Sequence, residues 1–361
     1  MKRDVLVITF IGLAGLAVIG TLLTFLIKRK AQPQARIATV SAAEMPENTA
    51  QGLDGEEEAE TLDDTGAREI TCLGDFGTEK WSEGIVSYQG RRYIYKEGLQ
   101  NYLFLGVDND EKVAPAPDGI SGGQSDAMFL VVIDQETKKI RIVSINRNAI
   151  VPVDVYDEEG NFVVRMDLQI CLQHGYGDGG KLSCMRAEEA VDRLFAGVPI
   201  SGYLSLNMGG LASVNDAAGG VELTPIESIS RGDIVLTEGE TVTLNGEQAY
   251  AYLRYRDVDK FGSANDRLKR QQQYICEFVK KLLRDPGLAG RVYDAGAEYI
   301  VASIDLAKLV NSASEMTFTD DDFYTVPGET EFKDDFERYN VDEDGMIRLI
   351  LDVFYEELKT N

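Results

Sequence analysis

Histidine is all but missing from this chain of 361 residues: His174 is the only one. A single imidazole excludes His-His metal sites and leaves a GxSxG serine without a triad partner. His174 itself reads as a structural residue, with a polar part at a cleft rim, rather than a general base. Cysteine is scarce as well. Cys72, Cys171, Cys184 and Cys276 show no CxxC and no zinc-ligand spacing, so thiolate metal ligation is not expected. Cys276 falls in an apolar helical pattern and reads as core, while Cys171 and Cys184 are open to pairing in an oxidising exterior. Positive charge is in deficit: 36 Lys and Arg stand against 61 Asp and Glu, a net −25. That balance cannot supply the broad cationic surface that a nucleic-acid backbone requires.

What is present begins with a run of 23 residues without a charge, VLVITFIGLAGLAVIGTLLTFLI at 5–27, enough for one helix across ~30 Å of hydrocarbon. The competing reading is a cleaved signal peptide, but the run is long, and Lys28, Arg29 and Lys30 separate it from any small-residue cleavage site. Basic residues flank both ends and leave the orientation rule undecided. A four-residue N-terminal tail and the acidic bulk after the run favour an extracytoplasmic C-terminal part. The expected layout is a cytoplasmic tip and anchor at 1–30 and an acidic flexible stalk at 31–83, followed by a folded region at 84–285 and a mixed C-terminal segment at 286–361 packed on it.

GIVSYQGRRYIY (84–95) alternates like a strand pair broken at Gln89-Gly90. NYLFLGVD (101–108) reads as a buried strand ending in a carboxylate. DAMFLVVID (126–134) and KIRIVSIN (139–146) form a hairpin across QETK, and the continuous apolar character of the first suggests burial on both faces. Helical patterns follow at 185–195 and in LNMGGLASVNDAAGGV (206–221), and ETVTLNGEQAYAYL (240–253) reads as a turn into a short helix. A last helix is expected at 345–358. Helices interleaved with buried strands predict an α/β/α sandwich around a mixed sheet.

The segment from Arg254 to Arg270 departs from the acidic balance, with six basic residues and three acidic ones. Arg254 and Arg256 flank Tyr255, so an extended segment would send both guanidinium groups from one face, ~7 Å apart. Ser263 and Asp266 resemble a capping box that starts a helix, on which Leu268, Ile275, Val279 and Leu282 form the buried stripe and Arg267 and Gln271 share its edge. A helix start beside several guanidinium forks suits a phosphate or pyrophosphate. As a charge run alone, the same residues would merely neutralise a solvated face. Asp108 and Asp126, each at a strand boundary, add two carboxylates at one edge of the sheet, which suits Mg²⁺ (or Mn²⁺) bridging phosphate oxygens. Arg147 ends a further strand in that region. GYGDGG (175–180) satisfies G-x-G-x-x-G but lacks a convincing preceding strand, so it reads as a flexible loop.

Taken in order, NYLFLGVD, QSDAMFLVVID, KKIRIVSINRN, HGYGDGG, VPISGYLSLNMGGLASVNDAAGGVEL, LNGEQAYAYLRYRD and DRLKRQQQYI resemble the LytR-CpsA-Psr family of cell-wall glycopolymer ligases across about 98–285. The resemblance implies a membrane-anchored phosphotransferase. It would move a glycopolymer such as teichoic acid or capsular polysaccharide from a polyprenyl-pyrophosphate carrier to peptidoglycan, on the outer face of a Gram-positive-type cell membrane. It implies Asp108 and Asp126 on Mg²⁺, and Arg147, Arg254, Arg256, Arg267 and Gln271 on the pyrophosphate, with Gln124, Asn148 and Arg270 facing the substrate. An apolar tunnel for the lipid is expected from the helices between 185 and 221. Two positions depart from the family pattern, Gln124 where Arg is common and Asn148 where Asp is common. Two alternatives stay open on the same residues: a polyprenyl-pyrophosphate phosphohydrolase, and a non-catalytic binder or regulator of lipid-linked polymer.

Overall fold

The computed structural model describes residues 66–77, 81, 84–116, 120–257, 260–313, 315–333 and 336–359. The expected membrane span at 5–27 lies outside the described residues, as does the stalk up to 65. Among the described residues no helix is long and apolar enough to cross a membrane.

The stalk expected to reach 83 ends earlier. Ile70, Phe76 and Trp81 are buried, Phe76 stacks on Trp81 with ring centroids 5.4 Å apart, and Trp81 Nε1 donates to the Ala196 carbonyl at 2.6 Å. Three apolar anchors outweigh the acidic composition around them, since burying each such side chain stabilises by roughly 1.5–3 kcal/mol. The leading hairpin forms as read, β1 (Ile85–Tyr88) against β2 (Arg91–Tyr95), with Gln89 and Gly90 both at positive φ as a two-residue hairpin turn demands.

The centre is a six-stranded mixed sheet. β3 (Leu99–Val107), β4 (Ser125–Asp134) and β5 (Lys139–Ile145) form its antiparallel middle. β6 (Ile150–Tyr156) and β7 (Phe162–Gln169) pair antiparallel with each other outside this sheet. β8 (Gly202–Asn207) joins parallel to β3, and β9 (Ile300–Ala302) lies antiparallel beyond it. β10 (Phe323–Thr325) runs parallel to β5 on the other edge. Both outer strands come from the segment after 285, which therefore builds the sheet at each edge.

Layers of helix cover both faces, which is why the middle strands are apolar on alternate and intervening positions alike. Over one face lie α2 (Leu211–Ala217), α3 (Gly246–Arg254), the 22-residue α4 (Ser263–Arg284), α5 (Leu288–Gly296) and α6 (Leu306–Ala313). Over the other lies α1 (Lys181–Leu194), tied to β8 by the Cys184 thiol, 3.4 Å from Ser205 Oγ. Next to it packs α7 (Glu343–Phe354), through Phe195 and Phe354. α7 stops at Phe354 rather than 358, because Tyr355–Glu357 pair as a strand with β2. All four cysteines are free, so Cys171 and Cys184 do not pair.

Two local readings change. α4 begins at Ser263, but its N-cap is Gly262 in the left-handed region (φ 76°), and no side-chain cap bond is made. Ser263 Oγ accepts from Arg256 Nε instead, while Asp266 Oδ2 accepts from Lys260 Nζ at 2.7 Å. The GYGDGG stretch is not loose: Gly179 N donates to Ser183 Oγ at 2.7 Å, and a Cβ at Gly177 would lie 2.3 Å from Ser183 Cα.

Candidate functional site

The carboxylate edge of the sheet is built by a register break. Gly106 pairs with Ala127 and Val107 with Ser125, so the ladder bulges and Asp126 has no partner opposite it. Bulges of this kind re-aim a side chain. Asp108 follows β3, its N–H bonded to the Gln124 carbonyl at 2.9 Å. The two acids thus end neighbouring strands.

Arginines from three elements close on them. Arg147, just past β5, donates through Nη1 to Asp126 Oδ1 and through Nη2 to Gln124 Oε1, with the Cys171 sulfur 3.3 Å from Nη2. Arg267, in the second turn of α4, donates Nη1 to Asp126 Oδ2 at 2.8 Å. Arg254, the last residue of α3, reaches Asp108 Oδ1 at 2.5 Å through Nη2 and both oxygens of Asp110 through Nη1. Arg256 donates Nη2 to Glu337 Oε2 at 3.2 Å. Arg254 and Arg256 therefore do not leave one face of an extended segment. Arg254 is helical and Arg256 is not, so the alternation read from the sequence is broken between them.

The electrostatics are those of a compact, half-hidden cluster. Burial, and then the charge of Asp126, push the Asp108 carboxyl above the ordinary range, against the pull of Arg254. Burial acts the same way on Asp126, but Arg147 and Arg267 outweigh it and hold that carboxyl below the ordinary range. The Arg267 Nη2 and Arg147 Nε donors are both buried and make no hydrogen bond. An orphaned buried guanidinium donor is costly unless a ligand satisfies it. Cys171 beside Arg147 remains a neutral thiol, because burial pushes it up despite the neighbouring cation.

Metal ligation needs a narrower reading than two shared carboxylates. Both Asp126 oxygens already accept from arginine, whereas Asp108 keeps Oδ2 outside its bond to Arg254. Among the described residues no group of three or more His, Cys, Asp or Glu gathers to hold a metal ion. Mg²⁺ asks for less, one or two carboxylates completed by water and substrate oxygens. Asp108 fits that role directly; Asp126 does so only by releasing an arginine.

Beside this cluster opens an apolar cavity of about 330 Å³. Gly106, two residues before Asp108, and Ala127, next to Asp126, form its near end with Gln271, one turn beyond Arg267. The stripe Ile275, Val279 and Leu282 of α4 lines it further in, opposite Phe104, Phe129 and Ile142 of the sheet. Gln271 is the sole amide in a lining that has no charged side chain. The expectation that helices between 185 and 221 wall the tunnel holds only for Met208, Leu211 and Val214. α1 lies on the other face of the sheet, and α4, α5 and α6, with Leu253 of α3, supply the rest of the helical wall.

Two sequence candidates fall outside the cluster's open side. Arg270 is 1% exposed and donates to the Tyr252 carbonyl at 2.9 Å, to the Tyr255 carbonyl and to Glu227, and burial lowers its pKa to about 10. It ties the end of α3 to α4 and faces no substrate, because its Nε, Nη1 and Nη2 are all engaged by these internal acceptors. Asn148 is buried between Gln169 and Glu337 and serves as a strut. His174 is buried too, its Nδ1 2.9 Å from the Gly123 carbonyl, in the structural role expected of it. Sequence reasoning missed Asp110, Tyr250 and Glu337. Tyr250 donates to Asp110 Oδ1 at 2.7 Å and accepts from Arg254. Its place four residues before Arg254 on a helix was a usable signal; Glu337, more than 60 residues from the rest, offered none.

Comparison with known proteins agrees with this architecture. The chain is 30% identical to biofilm regulatory protein A of Streptococcus mutans over 224 residues, 59% of this chain and 52% of that protein. It is 29% identical to the polyisoprenyl-teichoic acid–peptidoglycan teichoic acid transferase TagU of Enterococcus faecalis over 182 residues, 50% of this chain and 53% of that one. The chain thus spans about half the length of these curated relatives. Among solved structures, Bacillus subtilis TagV superposes with a TM-score of 0.57 at 19% identity, covering 72% of this chain and 96% of that one. The structure described as TagT bound to LI-WTA gives 0.52 at 18%, covering 71% and 90%. These likenesses carry the fold. Residues 76–350 match the LytR_cpsA_psr family throughout, and the chain belongs to that family.

Proposed function

We propose that this protein is a glycopolymer transferase that takes a phosphorylated polymer from a polyprenyl-pyrophosphate carrier and joins it to peptidoglycan, with 5–27 as its membrane anchor and the described residues outside the cell. The observation that carries this reading is the contiguity of two unlike surfaces: a cluster of four arginines and a lipid-sized cavity that meet at Gly106, Ala127 and Gln271. A pyrophosphate bearing a prenyl chain is polar at one end and apolar along its length. The transferase names of the curated relatives support the same substrate class.

Arg147, Arg254, Arg256 and Arg267 face Asp108, Asp110, Asp126 and Glu337, four charges of each sign, so the cluster is formally neutral before a substrate arrives. A pyrophosphate diester brings two negative charges, which a Mg²⁺ ion held by Asp108 would cancel. That ion would supply Lewis-acid stabilisation of the leaving phosphate. In the transfer, an acceptor hydroxyl oxygen bonds to the phosphorus that carries the sugar, the bridging P–O bond breaks, polyprenyl phosphate leaves, and the hydroxyl proton passes to water. The arginines hold the phosphates in line and offset charge on the departing oxygen, which is most of what phosphoryl transfer asks of a protein. Arg267 Nη2 is the donor best placed to be claimed on binding, because it is buried without a partner.

The test is transfer by the full chain, in detergent, of polymer from a prenyl-pyrophosphate donor to peptidoglycan oligosaccharide with Mg²⁺. Wild type is expected to form the phosphodiester product and Arg254→Ala to lose it. Release of phosphate without any dependence on acceptor would replace the reading with a phosphohydrolase. Donor binding with no turnover under any metal condition would replace it with a non-catalytic binder.

A further inference from the structure

Glu337 lies in the antiparallel pair β11 (Gly328–Lys333) and β12 (Phe336–Val341), which is outside the central sheet. Its carboxylate is nevertheless directed into the arginine cluster, and the residue is only 8% exposed. Oε2 accepts from Arg256 Nη2 at 3.2 Å and from Asn148 Nδ2 at 3.4 Å, and Oε1 accepts from the Gly262 N–H at 2.8 Å. Its own carbonyl accepts from Gln169 Nε2 at 2.7 Å, and Tyr339, two residues on, donates its N–H to the Asn148 carbonyl at 2.9 Å. One side chain thus spans the loop after β5, the N-cap N–H of α4 and the guanidinium of Arg256. With both oxygens engaged, Glu337 is not free to act as a base. The other anchor of Arg256, Ser263 Oγ, holds Nε at 3.0 Å, so two bonds fix the plane of the guanidinium and leave Nη1 outside them.

Resting on the pyrophosphate reading above, we propose that Glu337 is a positioning residue: it holds Arg256 and the start of α4 in the orientation that presents Nη1 to the substrate phosphate. An arginine with a planar fork loses little on binding when its plane is already fixed, whereas a free one must be ordered at that moment. Sequestering one Arg256 edge costs some positive potential but gains a fixed geometry.

The experiment is binding of farnesyl pyrophosphate to the full chain in detergent, for Glu337→Ala, Glu337→Gln, Arg256→Ala and the Glu337→Ala/Arg256→Ala double variant, with thermal unfolding of each. Glu337→Ala is expected to weaken binding about tenfold, the scale of one charge-assisted hydrogen bond. Glu337→Gln, which keeps an acceptor oxygen on Arg256, is expected to recover most of that loss. On the Arg256→Ala background, loss of Glu337 is expected to add nothing, because the two act as one unit. If Glu337→Ala does not fold, Glu337→Asp draws the carboxylate back by one methylene and reads the same coupling. Additive losses, or tighter binding by both Glu337→Ala and Glu337→Gln, would show that Glu337 merely stabilises the fold or suppresses charge, and would overturn the proposal alone. A wild type that does not bind farnesyl pyrophosphate overturns the pyrophosphate reading and this proposal with it.

Discussion

Removing the Asp126 side chain is the most direct perturbation of the cluster. In Asp126→Ala, Arg147 and Arg267 lose their shared counter-ion while remaining buried, their side chains 13% and 7% exposed. Breaking a buried ion pair by deleting one partner costs about 3–5 kcal/mol, because the remaining charge is uncompensated. Here two guanidiniums are stranded by one deletion, so the upper part of that range applies. For a domain of this size, at about 2 °C per kcal/mol, the midpoint of thermal unfolding should fall by about 8–10 °C. The same reasoning predicts a rescue. An anion that enters the vacated position satisfies both arginines, and a ligand at 100 times its dissociation constant adds about 2.7 kcal/mol. Inorganic pyrophosphate should therefore raise the unfolding midpoint of Asp126→Ala by several degrees, more than it raises that of the wild type, and Asp126→Asn should fall between the two proteins. A variant as stable as wild type, or one indifferent to pyrophosphate, would refute the account of Asp126 as the buried counter-ion of both arginines.

Three further outcomes follow from other parts of the molecule. Val279→Trp fills the cavity from α4, so binding of long-chain prenyl pyrophosphates should drop at least tenfold while the thermal response to inorganic pyrophosphate is unchanged, as titration of both ligands would show. Arg270→Ala removes a buried guanidinium and leaves Glu227 and the Tyr252 and Tyr255 carbonyls unpaired; it should cost roughly 3–5 kcal/mol in denaturant unfolding, with Lys no adequate replacement. Burial lowers the pKa of His174, so the unfolded chain takes up a proton near pH 6.5 that the folded chain refuses. The stability it contributes is complete above that pH and declines as the pH falls, by at most about 1.4 kcal/mol per pH unit. Between pH 6.5 and 5, denaturant titrations should show this slope in wild type and not in His174→Gln.

The sequence determined what depends on short-range pattern. The apolar runs at 101–108 and 126–134 read as buried strands, the second covered on both faces, and the 3.6-residue stripe Leu268, Ile275, Val279, Leu282 reads as one side of a helix, as the structure has them. The order of seven short motifs, with Asp108, Asp126 and Arg147 at strand boundaries, was enough to indicate the family. Composition misled where a few large side chains outweighed many small polar ones, as at Phe76 and Trp81 in the acidic stalk. What only the tertiary structure decided are contacts between residues far apart in the chain, because periodicity says which face a side chain leaves by and not what it meets. It split Arg254 from Arg256, turned Arg270 and Asn148 into struts, and moved the cavity wall to α4, α5 and α6. It also brought Glu337 from β12 to Arg256 and Gly262, a meeting that no local pattern foreshadows, since the pair of strands that delivers it is positioned by its contacts at Asn148, Gln169 and Asn265.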